Sequence, residues 1–128
     1  MSFSKRNLNE VEDSAPKFGY EENQEARFAR EDLGAEDIGL SYHVVRAGKR
    51  QGFAHRHEKT EEIYVILSGS GRMKLDDELI EVGPMDAVRV EPDVLRAFEA
   101  GSDGLEILAF GLHHAGDGEL VHEGFWES

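Results

Sequence analysis

The chain has 128 residues, of which 39% are apolar, 14 are glycine, 3 are proline and none is cysteine. That length suits one domain around one core, and the lack of cysteine excludes a disulfide framework, a zinc knuckle and a thiol nucleophile. A surplus of 27 acidic over 14 basic residues leaves a net charge of −13, which repels phosphate backbones and anionic lipid, so neither nucleic acid nor membrane is an expected partner.

Residues 1–36 are polar and read as an N-terminal arm. Within it, Glu21 to Arg30 is either a short helix turn or an edge strand. Met1 to Pro16 has no apolar leader pattern, and the longest apolar run, Ile63 to Leu67, is too short to cross a bilayer, so a cytoplasmic location is expected.

From Ile38 the pattern changes to short strands between turn signals. Gly39 to Arg46, Phe53 to His57 and Glu62 to Leu67 each read as a strand, the last stopped by Ser68-Gly69-Ser70-Gly71. Arg72 to Leu75 and Glu78 to Val82 flank an Asp76-Asp77 hairpin turn. Ala87 to Val90 and Leu95 to Glu99 follow, and Leu105 to Leu112 reads as a final strand entered through Gly101-Ser102-Asp103-Gly104. This rhythm is that of an all-β sandwich or barrel over residues 37–115, leaving 116–128 as a C-terminal tail. Along Glu62 to Leu67 both strand faces are apolar, Ile63, Val65 and Leu67 on one and Tyr64 and Ile66 on the other. One face would meet the barrel interior and the other a second layer or a second subunit; with the arm, this points to a homodimer.

The chemistry concentrates in His55-Arg56-His57 and Glu62. Alternate residues of a strand share a face, so both imidazoles can enter one cavity, and a hairpin can return Glu62 beside them. Two histidines and a carboxylate form the facial donor set of non-haem iron sites.

Gly48, His55, His57, Glu62 and Gly69 closely resemble the first signature motif of the cupin superfamily: Gly, five residues, His-x-His, three or four residues, Glu, six residues, Gly. Here the first gap is six residues, and the others match. The second motif opens fifteen residues later, the short spacing of small single-domain bacterial cupins. Its family pattern is Gly, five residues, Pro-x-Gly, two residues, His, three residues, Asn; this chain has Met85, Glu91, Asp93, Arg96 and Ala100 at those positions. The resemblance covers about residues 39–112 and implies a cupin jelly-roll barrel, a double-stranded β-helix with a site in its mouth. It also implies that Arg96 stands where the family's fourth metal ligand, a histidine, belongs.

A guanidinium has no free lone pair and stays protonated, so Arg96 cannot be a ligand. At ~5 Å and an effective dielectric near 20 it would repel a nearby positive charge by about 3 kcal/mol per unit of charge. Three readings stand open. His55, His57 and Glu62 hold a divalent metal (iron, manganese, nickel or zinc) by themselves, with Arg96 turned aside or clamping an anionic substrate. Alternatively Arg96 pairs with Glu62 and replaces the metal, and the histidines line a binding pocket. In the third reading His43, His113, His114 or His122 completes the set.

Tyr64 and Phe98 join Arg96 as candidates to line a ligand pocket, and Arg46 and Arg89 could converge on the same cavity. Gly69-Ser70-Gly71 is not followed by a helix pattern, so no dinucleotide or other organic cofactor is expected. Phe125 and Trp126 would either anchor the tail or leave it loose. The expected function is a site for a small, anionic molecule inside the barrel. It serves either a metal-dependent oxygenase- or isomerase-like enzyme or a non-enzymatic binding or sensor module.

Overall fold

The computed structural model describes residues 2–127; residues 1 and 128, the outermost positions of the expected arm and tail, lie outside the described residues. Eight strands are present among the described residues: β1 (Gln24–Phe28), β2 (Ile38–Val45), β3 (Ala54–His57), β4 (Glu62–Leu75), β5 (Glu78–Val82), β6 (Ala87–Val90), β7 (Arg96–Leu112) and β8 (Gly118–Val121). Helical structure is limited to a 3-10 turn at Leu8–Glu10 and two single-turn helices, α1 (Ala15–Phe18) and α2 (Arg30–Leu33). No helix among the described residues is long and apolar enough to cross a membrane.

The sheet runs in the order β1-β2-β7-β3-β8, and β4 pairs with β5, β6 and β7. Every pairing is antiparallel, and the sheet curls into a barrel. β7 is the axis of this arrangement. Its residues Leu105 to Leu112 pair with β2 on one side and Leu105 to Gly111 lie along β4 on the other, while Arg96 pairs with His55 of β3.

Two expected breaks are absent. The strand beginning at Glu62 does not stop at Ser68-Gly71 but runs on to Leu75, and the two strands expected either side of Gly101-Gly104 are one. The physical reason is close approach of two backbones. Gly69 pairs with Leu105 and Gly71 with Ala100, so residues 101–104 bulge opposite the single Ser70. Gly69 has φ of 81°, and a Cβ there would stand 1.9 Å from the Gly104 carbonyl oxygen. Glycine serves here to let strands touch and bend, not to end them.

Of the two forms open to Glu21–Arg30, the edge strand is present: β1, Gln24–Phe28, pairs with β2. One further element departs from the sequence reading: Leu105–Leu112 is not the last strand, because β8 pairs with β3 across Ala54 to His57. Phe125 and Trp126 anchor the C-terminal residues on the barrel. Phe125 is 7% exposed against Ala54 and Ala97, and the Arg50 guanidinium lies 4.8 Å from the Trp126 ring centre.

The main core fills the barrel interior with Val45, Tyr64, Ile66, Met73, Val90, Phe98, Leu105 and Ile107. On β4 the period-2 rule divides the strand cleanly. Tyr64 and Ile66 face inward and are buried, whereas Ile63 and Leu67 face outward at 43% and 40% exposure, so within one chain that second apolar face is open.

Candidate metal centre

Strand geometry assembles the donors. On β3, His55 and His57 are two residues apart and so share the inward face, with ring centres 5.1 Å apart and planes nearly perpendicular. Glu62 opens β4 after four intervening residues and meets both. His55 Nε2 and His57 Nε2 each lie 3.1 Å from the same atom, Glu62 Oε1.

That oxygen has two further neighbours. The Tyr64 hydroxyl donates to it at 2.6 Å, and Arg96 Nη1 donates at 3.3 Å. Burial works against a charge on Glu62, but the contacts with His55, His57 and Tyr64 hold its carboxyl well below the usual carboxylate range. Burial lowers His55, against the pull of Glu62, and pushes Tyr64 well up, with the Glu62 charge acting in the same direction. At neutral pH the centre thus holds an ionised Glu62 and a protonated Tyr64.

Arg96 is 1% exposed. Besides its single contact with Glu62 it donates from Nη2 to the Glu91 carbonyl at 2.7 Å, and its Nε has no partner. The ion pair is therefore real but not bidentate. Arg46 and Arg89 point elsewhere: Arg46 donates to the Glu21 carbonyl and Arg89 pairs with Glu61 at 3.0 Å, more than half exposed.

The remaining histidines do not complete the donor set. His43 faces the barrel from β2 and contacts the Ser41 hydroxyl at 2.8 Å, with Nδ1 unpartnered. Burial, then repulsion from His55, pushes His43 down to about 4. His113 and His114 line the cavity mouth, and His122 Nδ1 contacts the Tyr20 hydroxyl at 2.9 Å on another face.

A cavity of about 520 Å³ opens on this centre. His57 and Glu62 form part of its wall, with Ser41, Thr60, Gly111 and Asp117 beside them and Phe28, Leu40 and Leu112 toward the mouth. The arm contributes Glu12, Ser14, Arg30, Glu31 and Asp32. Arg96, Tyr64 and Phe98, the residues expected to line a ligand pocket, are buried behind the donors and are not among the lining residues. Tyr64 and Phe98 instead pack ring to ring at 5.4 Å in the core.

Asp117, between β7 and β8, was invisible as a site residue in the sequence, where Gly116-Asp117-Gly118 reads as an ordinary turn. Its carboxylate accepts the amides of Glu58, Lys59 and Thr60 at 2.9–3.0 Å, and Oδ2 lies 3.3 Å from His57 Nδ1. Burial opposes its charge, but those hydrogen bonds bring its pKa down to about 2.

The donors fit a divalent ion. Metal–ligand bonds of about 2.1 Å at right angles separate neighbouring donors by about 3.0 Å, close to the 3.1 Å between each histidine nitrogen and Glu62 Oε1. His57 Nε2 is out of contact with solvent and makes no hydrogen bond, which leaves that atom available to an ion. His55, His57 and Glu62 are also the one cluster of three or more metal-ligand residues grouped within 4.8 Å among the described residues.

The family model described as the cupin domain matches residues 41–110. The chain belongs to this family. An uncharacterized protein of Methanocaldococcus jannaschii is 42% identical to this cupin over 70 residues, which are 54% of this chain and 55% of that protein. The chain thus spans about half the length of the curated relative it matches. A cupin protein from Bacteroides fragilis superposes with a TM-score of 0.72 at 25% identity, over 97% of this chain and 96% of that one. Two enzymes share the fold at 18% identity. They are a polyketide cyclase of Streptomyces resistomycificus (TM-score 0.75; 94% of this cupin and 86% of that chain) and oxalate decarboxylase from Bacillus subtilis (0.77; 94% and 32%).

Proposed function

We propose that this cupin holds a divalent metal on His55, His57 and Glu62 and uses it to bind and transform a small molecule in the cavity. The supporting observation is the convergence of two imidazole nitrogens on one Glu62 oxygen at coordination-like separations, one of them buried without a hydrogen-bond partner. Bound there, a divalent metal would supply Lewis-acid or oxygen chemistry at its open positions.

The chain's own groups supply the rest. Five carboxylates line the cavity (Glu12, Glu31, Asp32, Glu62 and Asp117) against one guanidinium, Arg30, so the walls draw cations inward. Arg30 is itself engaged with the Ala35 carbonyl at 3.0 Å. An anionic substrate would therefore depend on the metal, not on the walls, for its affinity. Phe28, Leu40 and Leu112 give the mouth an apolar rim against which the body of such a molecule can rest. On this reading Arg96 works from behind, balancing the Glu62 charge without touching the ligand.

A second reading rests on the contact between Arg96 and Glu62 at 3.3 Å. There the guanidinium replaces the metal, and the cavity serves a non-enzymatic binding or sensor module. Metal analysis of the untagged protein separates the two. The first reading expects near-stoichiometric transition metal, lost in His57→Ala. A chain that stays metal-free after dialysis against iron, manganese, nickel and zinc, and takes up metal only as Arg96→His, supports the second.

A further inference from the structure

We propose that the outward face of β2, β7 and β4 is the contact through which two copies of this chain form a two-fold symmetric dimer, with Val65, Leu108 and Phe110 at its centre. This inference does not depend on whether the cavity holds a metal.

Antiparallel pairing fixes which residues share that face, because directly opposed residues point to the same side. Ile63 of β4 lies opposite Phe110 of β7. Val65 lies opposite Leu108, which in turn lies opposite Tyr42 of β2. The residues that alternate with them, Tyr64, Ile66, Ile107 and Ala109, fill the barrel core. A sheet with one face in water places polar side chains on that face; here β4 and β7 are apolar on both. The outer set is in reach of solvent. Ile63 and Leu67 are 43% and 40% exposed, and Tyr42, Val65, Leu108 and Phe110 are partly exposed. The helical turns α1 and α2 pack on β1 and β2, at the edge of the sheet far from β4.

Size and charge say what fits. Four strands, β2 to β6, at about 4.8 Å and five residues, Ile63 to Leu67, at about 3.4 Å outline about 300 Å². That is the scale at which an apolar patch on a monomer marks an interface. It suits the apolar centre of a contact that buries about 800 Å² on each side, the remainder being polar rim. Both flanks are neutralised from within. Arg89, opposite Ile63, pairs with Glu61 at 3.0 Å, and Arg27, opposite Tyr42, pairs with Glu25 at 2.9 Å. In spite of the chain's net charge of −13, a basic partner therefore gains little from these flanks, and a second copy is not repelled by them. Repulsion between the two chains as wholes is screened beyond about 8 Å at physiological salt. The partner that brings an apolar, uncharged face of the same extent is a second copy, and two-fold symmetry lays the patch against itself.

Sedimentation equilibrium of the full chain tests this. The expected mass is that of two chains, dissociating at roughly micromolar concentration. Ile63→Lys and Leu67→Lys replace side chains already open to solvent, and circular dichroism checks that each variant folds. Each is expected to raise the dissociation constant about tenfold or more. The chain has no cysteine, so single cysteines carry spin labels without interference. Labels on Leu67→Cys are expected to lie closer together across the dimer than labels on Leu79→Cys, in β5. A chain that stays monomeric up to its solubility limit overturns the proposal. So does a dimer whose dissociation constant both lysine variants leave unchanged, and so does one in which the labels at position 79 are the closer pair, a result that needs neither lysine variant to fold.

Discussion

The Arg96 guanidinium stands 3.3 Å from the Glu62 oxygen that His55 and His57 approach at 3.1 Å. One carboxylate atom therefore faces both a permanent cation and the open edge of the candidate metal centre. Arg96→His removes the cation and, because residue 96 pairs with His55 across the strands, sets a new nitrogen beside the donors. Relief of a repulsion of about 3 kcal/mol corresponds to more than a tenfold gain in affinity. Zinc competition titrations should show that gain in Arg96→His. Arg96→Met should instead lose about 3 kcal/mol of stability by stranding Glu62, read from urea midpoints. Equal zinc affinity in Arg96→His and the unmodified chain would disprove the antagonism.

Tyr64 anchors the same oxygen from the core. Its hydroxyl is 3% exposed with the rest of the residue and donates at 2.6 Å to an ionised carboxylate. Hydrogen bonds to charged groups contribute about 1.5–3 kcal/mol. Tyr64→Phe should therefore unfold at a lower urea midpoint by about 2 kcal/mol while keeping the ring packed on Phe98. A change below about 0.5 kcal/mol would mean that water takes over the role of the hydroxyl.

His43 predicts an acid-sensitive window. Burial, aided by His55, pushes its pKa down to about 4 in the folded chain, whereas an unfolded histidine titrates near 6.5. As pH falls from about 6.5 toward 4, the unfolded chain gains this proton and the folded chain does not, so stability falls over that window. At 1.36 kcal/mol per unit the loss reaches about 3 kcal/mol. His55 is lowered as well and adds in the same direction. Urea midpoints of the metal-free protein measured at about pH 7, 5.5 and 4.5 should fall less steeply in His43→Gln. Parallel lines for the two proteins would count against it.

The donors themselves were legible because strand alternation and a short return are local rules, and β3 and β4 obey them at His55, His57 and Glu62. Asp117 was not, because its partners at 57–60 are remote in sequence and come beside it only through the pairing of β8 with β3, and an aspartate between two glycines has the look of a solvated turn. β8 escaped for a related reason: Gly118–Val121 has little apolar alternation and gains its strand conformation from pairing with β3. The glycines at 69 and 71 were read as a stop because sequence shows their permissiveness but not the second backbone that requires it. The failure of Arg96, Tyr64 and Phe98 to line the cavity has the same origin, since periodicity tells inward from outward but not floor from core.

Met85 offers a clean backbone test. It occupies the position where the family's second motif has glycine, and it holds φ of 70° with 78% of its surface exposed. A side chain in that region is strained by about 1–2 kcal/mol, of which the added freedom of an unfolded glycine takes back a part. Met85→Gly should raise the thermal midpoint, with a net gain of about 0.5–1 kcal/mol. A lowered midpoint would show that the exposed thioether has packing value after all.

β7 gives the centre a history as well as a shape. Glu62 reaches its register by pairing with Gly111, and His55 pairs with Arg96, a residue 34 positions after Glu62. The first three donors are thus complete in the chain long before the strand that brings them together. The register of Glu62 against the two histidines is fixed only where β7 lies between β2 and β4. Closure of the barrel and assembly of the candidate site are therefore one non-local event.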